Sequence, residues 1–189
     1  MTNQTSTETL PSVQHMMVDL ETMGTHVGAP IISIGAIMFD PNSDNLEGER
    51  FHVGIELESN VQFGRHPDPG TIMWWMQEDR AEARKAMLSL DKVDLYVALD
   101  ELANWAPETE TWVWGNGAAF DNVILASAYK SVGLEPFWKF WNDRCYRTMK
   151  NLAPDVEWED WGVAHDALSD AVAQARHMQK VIKHLGIVV

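Results

Sequence analysis

The run "MVDLETMGTHVGAPIISIGAIMFD", Met17 to Asp40, constrains this chain more than any other. Two apolar stretches flank Asp19 and Glu21, two carboxylates separated by one residue. In a strand, residues i and i+2 point to the same face, so Asp19 and Glu21 project together and Leu20 points away. Carboxylates held this close repel, and at least one pKa rises unless a cation intervenes. Hard divalent cations prefer such oxygen ligands. The same pair is also explained by a strand that has ended there and leaves both side chains in water.

The rest of the chain alternates between the two secondary-structure periods. His15–Leu20, Ile31–Phe39 and Phe51–Leu57 read as strands, and the polar turn "DPNSDNLEGE" folds the second back on the third. Three strands with short connections predict an antiparallel meander. Thr71 is the expected N-cap of a helix over "IMWWMQEDRAEARKAML". A second helix follows Asp91, with Val93, Tyr96, Leu99 and Leu102 on its buried face. Thr111–Gly117 is a short strand ending in a glycine turn, and "FDNVILASAYKSVGL" is a helix ending near Gly133. "RCYRTMKNLA" is a short strand or turn leading into helix. The last helix spans Asp166 to His184, with Val172, Ala175, Met178, Ile182 and Leu185 as its apolar stripe. The order predicts an α/β fold, a mixed sheet flanked by helices. A chain of 189 residues suits one domain, assigned to residues 13–189 behind a polar, flexible tail at 1–12.

A net charge of −14 argues against broad, non-specific binding to duplex nucleic acid, which needs a basic surface. It does not exclude a nucleic-acid enzyme whose negative charge is gathered in a metal site, because bound cations reverse the local field. No apolar run reaches the ~18 residues of a membrane span, and the first residues lack a secretory pattern. The single cysteine, Cys145, reads as a small buried residue rather than a nucleophile, and a cytoplasmic location is expected.

Further carboxylates give the first pair its context. "WVWGNGAAFDNVIL" places Asp121 at a helix start after an apolar strand, where an aspartate can also serve only as a dipole partner. "HDALSDA" places His165 before the final helix and Asp170 in its first turns. "DLET", "GNGAAFD" and "HDALSDA", in this order along nearly the whole chain, resemble the three motifs of DEDD-type 3′–5′ exonucleases of the DnaQ-like, RNase H-fold group. The histidine resembles that of the DEDDh branch. "PGTIMWWMQEDRAEAR" is similar to a segment of the subgroup that includes bacteriophage exonuclease A and the exoribonuclease AS type.

The resemblance implies an RNase H-like mixed sheet, with an antiparallel meander plus parallel strands. It also implies two divalent cations, Mg²⁺ or Mn²⁺, held by Asp19, Glu21, Asp121 and Asp170, with His165 as general base. The implied substrate is single-stranded nucleic acid with a free 3′ end, cut to nucleoside 5′-monophosphates. In such enzymes the stretch corresponding to Leu20, Thr22 and Met23 contacts the terminal nucleotide; Met23 either wedges beside its base or packs in the core. A homodimer, as in several relatives, is a further expectation.

Other candidates come from the residues themselves. Trp74 and Trp75 cannot face the same way on one helix; either one stacks on a base or both bridge helix and sheet. Trp112 and Trp114 share a strand face and are expected in the core. Arg144, Arg147 and Lys150 are candidate phosphate contacts, or ordinary surface; Asn116 either contacts substrate or stabilises its turn. The segment similar to the phage enzyme tilts the reading towards DNA, with RNA as the alternative. A catalytically silent binding module is the other alternative, and no motif carboxylate is missing to support it.

Overall fold

The computed structural model describes residues 14–189; the tail assigned to residues 1–12 lies outside the described residues. Its strands are β1 (Gln14–Thr22), β2 (Ile31–Phe39), β3 (Arg50–Ile55), β4 (Lys92–Val93), β5 (Thr111–Gly115) and β6 (Asp143–Cys145). They form one sheet in the order β4-β3-β2-β1-β5-β6. The pairs β1–β2 and β2–β3 are antiparallel, whereas β5 runs parallel to β1 and β6 parallel to β5. This is the expected mixed sheet. Around it lie α1 (Leu57–Gln62), α2 (Pro69–Trp75), α3 (Ala81–Ser89), α4 (Leu95–Trp105), α5 (Asp121–Ser131), α6 (Tyr146–Leu152) and α7 (Ala167–Leu185).

The alternation of β1 divides the core. Met16, Val18 and Leu20 pack with Leu99 and Leu102 of α4 and Ile124 and Leu125 of α5. Met17 points to the other face and packs with Val172, Ala175 and Met178 of α7. Burying each such aliphatic side chain contributes about 1.5–3 kcal/mol, so both faces of β1 are firmly held. Asp19 and Glu21 follow Met17 in the alternation and therefore lie on the α7 side.

Local chemistry moves several expected boundaries. The helix expected after Thr71 begins at Pro69, and its cap is Asp68, whose side chain accepts from Gly70 N at 3.0 Å. It ends at Trp75, and a 3-10 turn, Glu78–Arg80, separates it from α3. Arg84 holds this break by donating to the carbonyls of Trp75 and Gln77. Val93 belongs to β4, paired parallel with β3, and α4 starts behind an Asp94 cap. The buried face of α4 is Leu95, Ala98, Leu99 and Leu102, while Tyr96 is exposed. β3 stops at Ile55, and "LESNVQ" turns into α1, where the buried Asn60 amide accepts from Ile31 N and donates to Ile31 O, both at 2.9 Å. Cys145, expected inside, is half-buried on β6.

Two features fix the frame around the cleft. The buried Arg65 guanidinium donates to the carbonyls of Ala29, Val27 and Ile124 and to Ser127 Oγ, tying the β1–β2 connection to α5. Desolvation lowers its pKa to about 10, which leaves it charged at neutral pH. Gly35 of β2 lies directly opposite Asp19 in the β1–β2 ladder. A Cβ there would stand 2.1 Å from the Ala167 carbonyl carbon at the start of α7. The missing side chain thus lets the first turn of α7 press onto the sheet beside Asp19.

Gly35→Ala should cost about 1–3 kcal/mol through this overlap, a drop of roughly 5 °C in Tm by the usual scaling for a chain of this size. Thermal unfolding followed by circular dichroism checks this; an unchanged Tm would show that α7 does not need the close approach.

Candidate active site

The carboxyl ends of β1 and β5 and the starts of α5 and α7 meet at one cleft of about 560 Å³. Asp19 and Glu21 reach it from the end of β1. Asp121 reaches it from the first residue of α5, where Leu20 N–H donates to Asp121 Oδ1 at 3.3 Å. Asp170 comes from the first turn of α7, whose cap Asp166 accepts from Ser169 N at 3.0 Å. His165 stands just before that cap with a backbone φ of +61°, and its N–H donates to Asp170 Oδ2 at 3.0 Å. The general-base candidate is thereby tied to one of the candidate metal ligands.

The electrostatics of this cluster are unfavourable without a cation. Burial, and then repulsion from Asp121, Glu21 and Asp170, pushes the Asp19 pKa well above the usual carboxylate range. Burial and Asp170 do the same to Glu21. Burial raises Asp121 to about 7, although the Leu20 N–H opposes it, and raises Asp170 to about 6 against the His165 N–H. Among the described residues no Lys or Arg forms an ion pair with any of the four carboxylates. Asp121 Oδ2 is buried without a hydrogen-bond partner. One ligand atom each from Glu21, His165 and Asp170 lies within 4.8 Å of the others. Four converging carboxylates, an orphaned carboxylate oxygen and this proximity fit a hard divalent cation.

The structure brings Asp19, Leu20, Glu21, Thr22, Trp74, Trp75, Asn116, Asp121, Arg147, His165 and Asp170 to this cleft. Two other expected contacts lie elsewhere. Met23 packs with Ile32, Trp75 and Ala83, which resolves its alternatives in favour of packing. Arg144 lies over the Trp112 ring, 3.8 Å from its centroid, and donates to Trp141 O; its place on edge strand β6 turns it away from the cleft. Trp75 borders the cleft, but its indole is buried and donates to Thr22 O at 3.0 Å, so it supports the end of β1. Trp114 is buried as expected, whereas Trp112 is only half-buried beneath Arg144. Arg147 donates to Asn116 O at 2.6 Å and faces the cleft with Lys150.

Sequence reasoning missed Gln174. Its Nε2 donates to Asp19 Oδ1 at 2.7 Å, and its Oε1 is buried without a partner. The available signal was a polar residue four positions after Asp170, on the same helix face. Lys150, of the same basic cluster as Arg147, and Trp158 also line the cleft.

Comparisons with known proteins identify the family and support the fold. A family model described as "3'-5' exoribonuclease Rv2179c-like domain" matches residues 14–182. A protein of Enterobacteria phage T4 described as "Exodeoxyribonuclease" is 26% identical over an alignment of 204 positions, covering 89% of this chain and 88% of the relative. A zinc-bound E. coli exonuclease I–ssDNA complex shares the fold with a TM-score of 0.57 at 20% identity, covering 92% of this chain and 41% of that one. The chain thus spans about two fifths of that larger enzyme. The nuclease domain of 3'hExo, a DEDDh family member bound to rAMP, gives a TM-score of 0.54 at 14% identity, covering 90% of this chain and 92% of that one. The chain belongs to the Rv2179c-like 3′–5′ exoribonuclease domain family, and it is a 3′–5′ exonuclease.

The raised carboxylate pKa values carry a sign. A carboxyl whose folded pKa exceeds its unfolded value holds extra protons in the folded state, so its contribution to stability falls as pH rises from about 4 to about 7. A cation that binds the ionised forms removes that loss. Mn²⁺ should therefore raise Tm more at pH 7.5 than at pH 5.5, and Asp121→Asn should shrink the difference. Thermal unfolding with Mn²⁺ or EDTA at the two pH values measures this; an equal Mn²⁺ effect at both would contradict it.

Proposed function

We propose that this exonuclease is of the DEDDh type, removes nucleotides from the 3′ end of single strands, DNA by preference, and releases nucleoside 5′-monophosphates. The observation that carries the reading is the convergence of Asp19, Glu21, Asp121 and Asp170 in one cleft with His165 and, among the described residues, without a basic ion-pair partner. These four carboxylates would hold two Mg²⁺ or Mn²⁺ ions. When bound, the ions would polarise the scissile phosphate and lower the pKa of the attacking water.

The remaining roles belong to the chain's own residues. His165 takes the proton of the attacking water. Burial, and then the nearby Arg80, lowers the pKa of its ring, which favours the neutral form that a base requires. Gln174 fixes the Asp19 carboxylate by donating to one of its oxygens. Arg147, braced on Asn116, offers a guanidinium to the phosphate backbone at the edge of the cleft. Leu20 and Thr22 border the place of the terminal nucleotide. Met23 and Arg144 have no part in this reading, because they lie outside the cleft. The homodimer expected from relatives has none either, since every residue used here comes from one chain.

Single strands suit a protein with a net charge of −14, because a short strand needs only local contacts and cations rather than a basic surface. The similarity to the phage exodeoxyribonuclease supports DNA. A second reading, the same chemistry on RNA, draws support from the description of the matching family.

The test uses 5′-labelled DNA and RNA of one sequence with Mg²⁺ or Mn²⁺. The expected result is a ladder shortening from the 3′ end, faster on DNA, and lost with EDTA or Asp19→Ala. A faster RNA ladder would select the second reading, and no cleavage of either polymer by folded protein would overturn both. His165→Ala should keep the fold and lower kcat by roughly 10²–10⁴-fold. A near-wild-type rate at saturating metal would remove His165 from the mechanism.

A further inference from the structure

We infer that Trp74 is a positioning residue for His165 and not a platform for a substrate base; the inference rests on the nuclease reading of this site. His165 carries two constraints of different kinds. Its positive φ, unusual for a residue with a side chain, is held by the N–H bond to Asp170 Oδ2. That bond fixes the backbone and leaves the imidazole free to turn about its side-chain torsions. A working histidine is commonly oriented by a hydrogen bond to one of its ring nitrogens. Among the described residues, no hydrogen bond to either His165 ring nitrogen is formed. What meets the ring is Trp74, with centroids 5.0 Å apart and planes at 87°, an edge-to-face contact.

Trp74 is itself held from other directions. The Arg80 guanidinium lies over its ring at 4.5 Å from the centroid. The Trp75 ring meets it edge-on at 5.1 Å and 82°, and Trp75 is anchored by its bond to Thr22 O. The contacts run from the end of β1 through Trp75 and Trp74 to His165. The strand that aims Asp19 and Glu21 therefore also orients the base. Arg80 covers one face of the ring, and the Trp75 and His165 contacts crowd it further, which leaves little open ring surface for a nucleobase. Misplacing a reacting group by about 1 Å can cost about 10²-fold in rate, so a contact of modest strength suffices for this role.

The test is a double-mutant kinetic cycle on an oligonucleotide and on bis-p-nitrophenyl phosphate, a diester without a base. Trp74→Ala should lower kcat roughly 10–100-fold on both substrates, with little change in KM. Trp74→Phe, which keeps an aromatic ring, should recover most of that rate. In a His165→Ala background, Trp74→Ala should add almost nothing, because its effect passes through the missing imidazole. Trp74→Leu takes the place of Trp74→Ala in the cycle if circular dichroism shows the alanine variant unfolded. Multiplicative losses in the double variant would overturn the inference, as would a KM increase confined to the oligonucleotide. An inactive wild-type enzyme would overturn the nuclease reading together with the inference. An active wild type with multiplicative losses overturns the inference alone.

Discussion

Mutual repulsion among buried carboxylates is the constraint around which this molecule is arranged. Asp19, Glu21, Asp121 and Asp170 each lose hydration on folding, and Asp19 and Glu21 each feel the negative charge of other members. Such a cluster opposes folding unless the frame around it is strong or a cation joins it. The frame here is strong. β1 is buried on both faces, α7 lies against it, and the place where they meet is opened by the absence of a side chain at Gly35. Core packing on both sides of the sheet offsets what the carboxylates cost. The cost falls where the chemistry needs charge.

The cleft has two unlike sides. On one, Arg147 and Lys150 are exposed near the glycine turn and α6, suited to a mobile, negatively charged backbone. On the other, α2 and the turn behind it form an aromatic wall in which Trp75 is buried and Trp74 rests between Arg80 and His165. The polar side can meet substrate, while the aromatic side keeps the base in place. Adjacent tryptophans on a short helix fit that division, because one is directed inward and the other towards the cleft.

Much of the site was legible in the sequence because three local motifs together resemble those of DEDD-type exonucleases, although each signal taken alone also had a plainer explanation. A period of two projects Asp19 and Glu21 together, a strand–glycine turn–helix run delivers Asp121, and the final amphipathic helix carries Asp170 behind its loop histidine. What was not legible depends on contacts between distant segments. A two-residue strand such as β4 has no periodicity to detect, so Val93 reads as part of the following helix. Asp68 and Pro69 start α2 ahead of Thr71, although a proline beside an aspartate first reads as a break. Asn60 and Gln174 look like ordinary polar residues until Ile31 and Asp19 are placed beside them. Arg144 and Arg147 are three residues apart, yet the first covers Trp112 and only the second faces the cleft.

The central claim is that the carboxylate cluster exists to hold divalent cations at the reacting phosphate. Anomalous diffraction from crystals soaked in Mn²⁺ tests it most directly. The account predicts strong peaks bordered by Asp19, Glu21, Asp121 and Asp170, two of them separated by about 4 Å once a nucleotide is present. A cleft without anomalous density, in crystals where Mn²⁺ is found elsewhere on the protein, would contradict it.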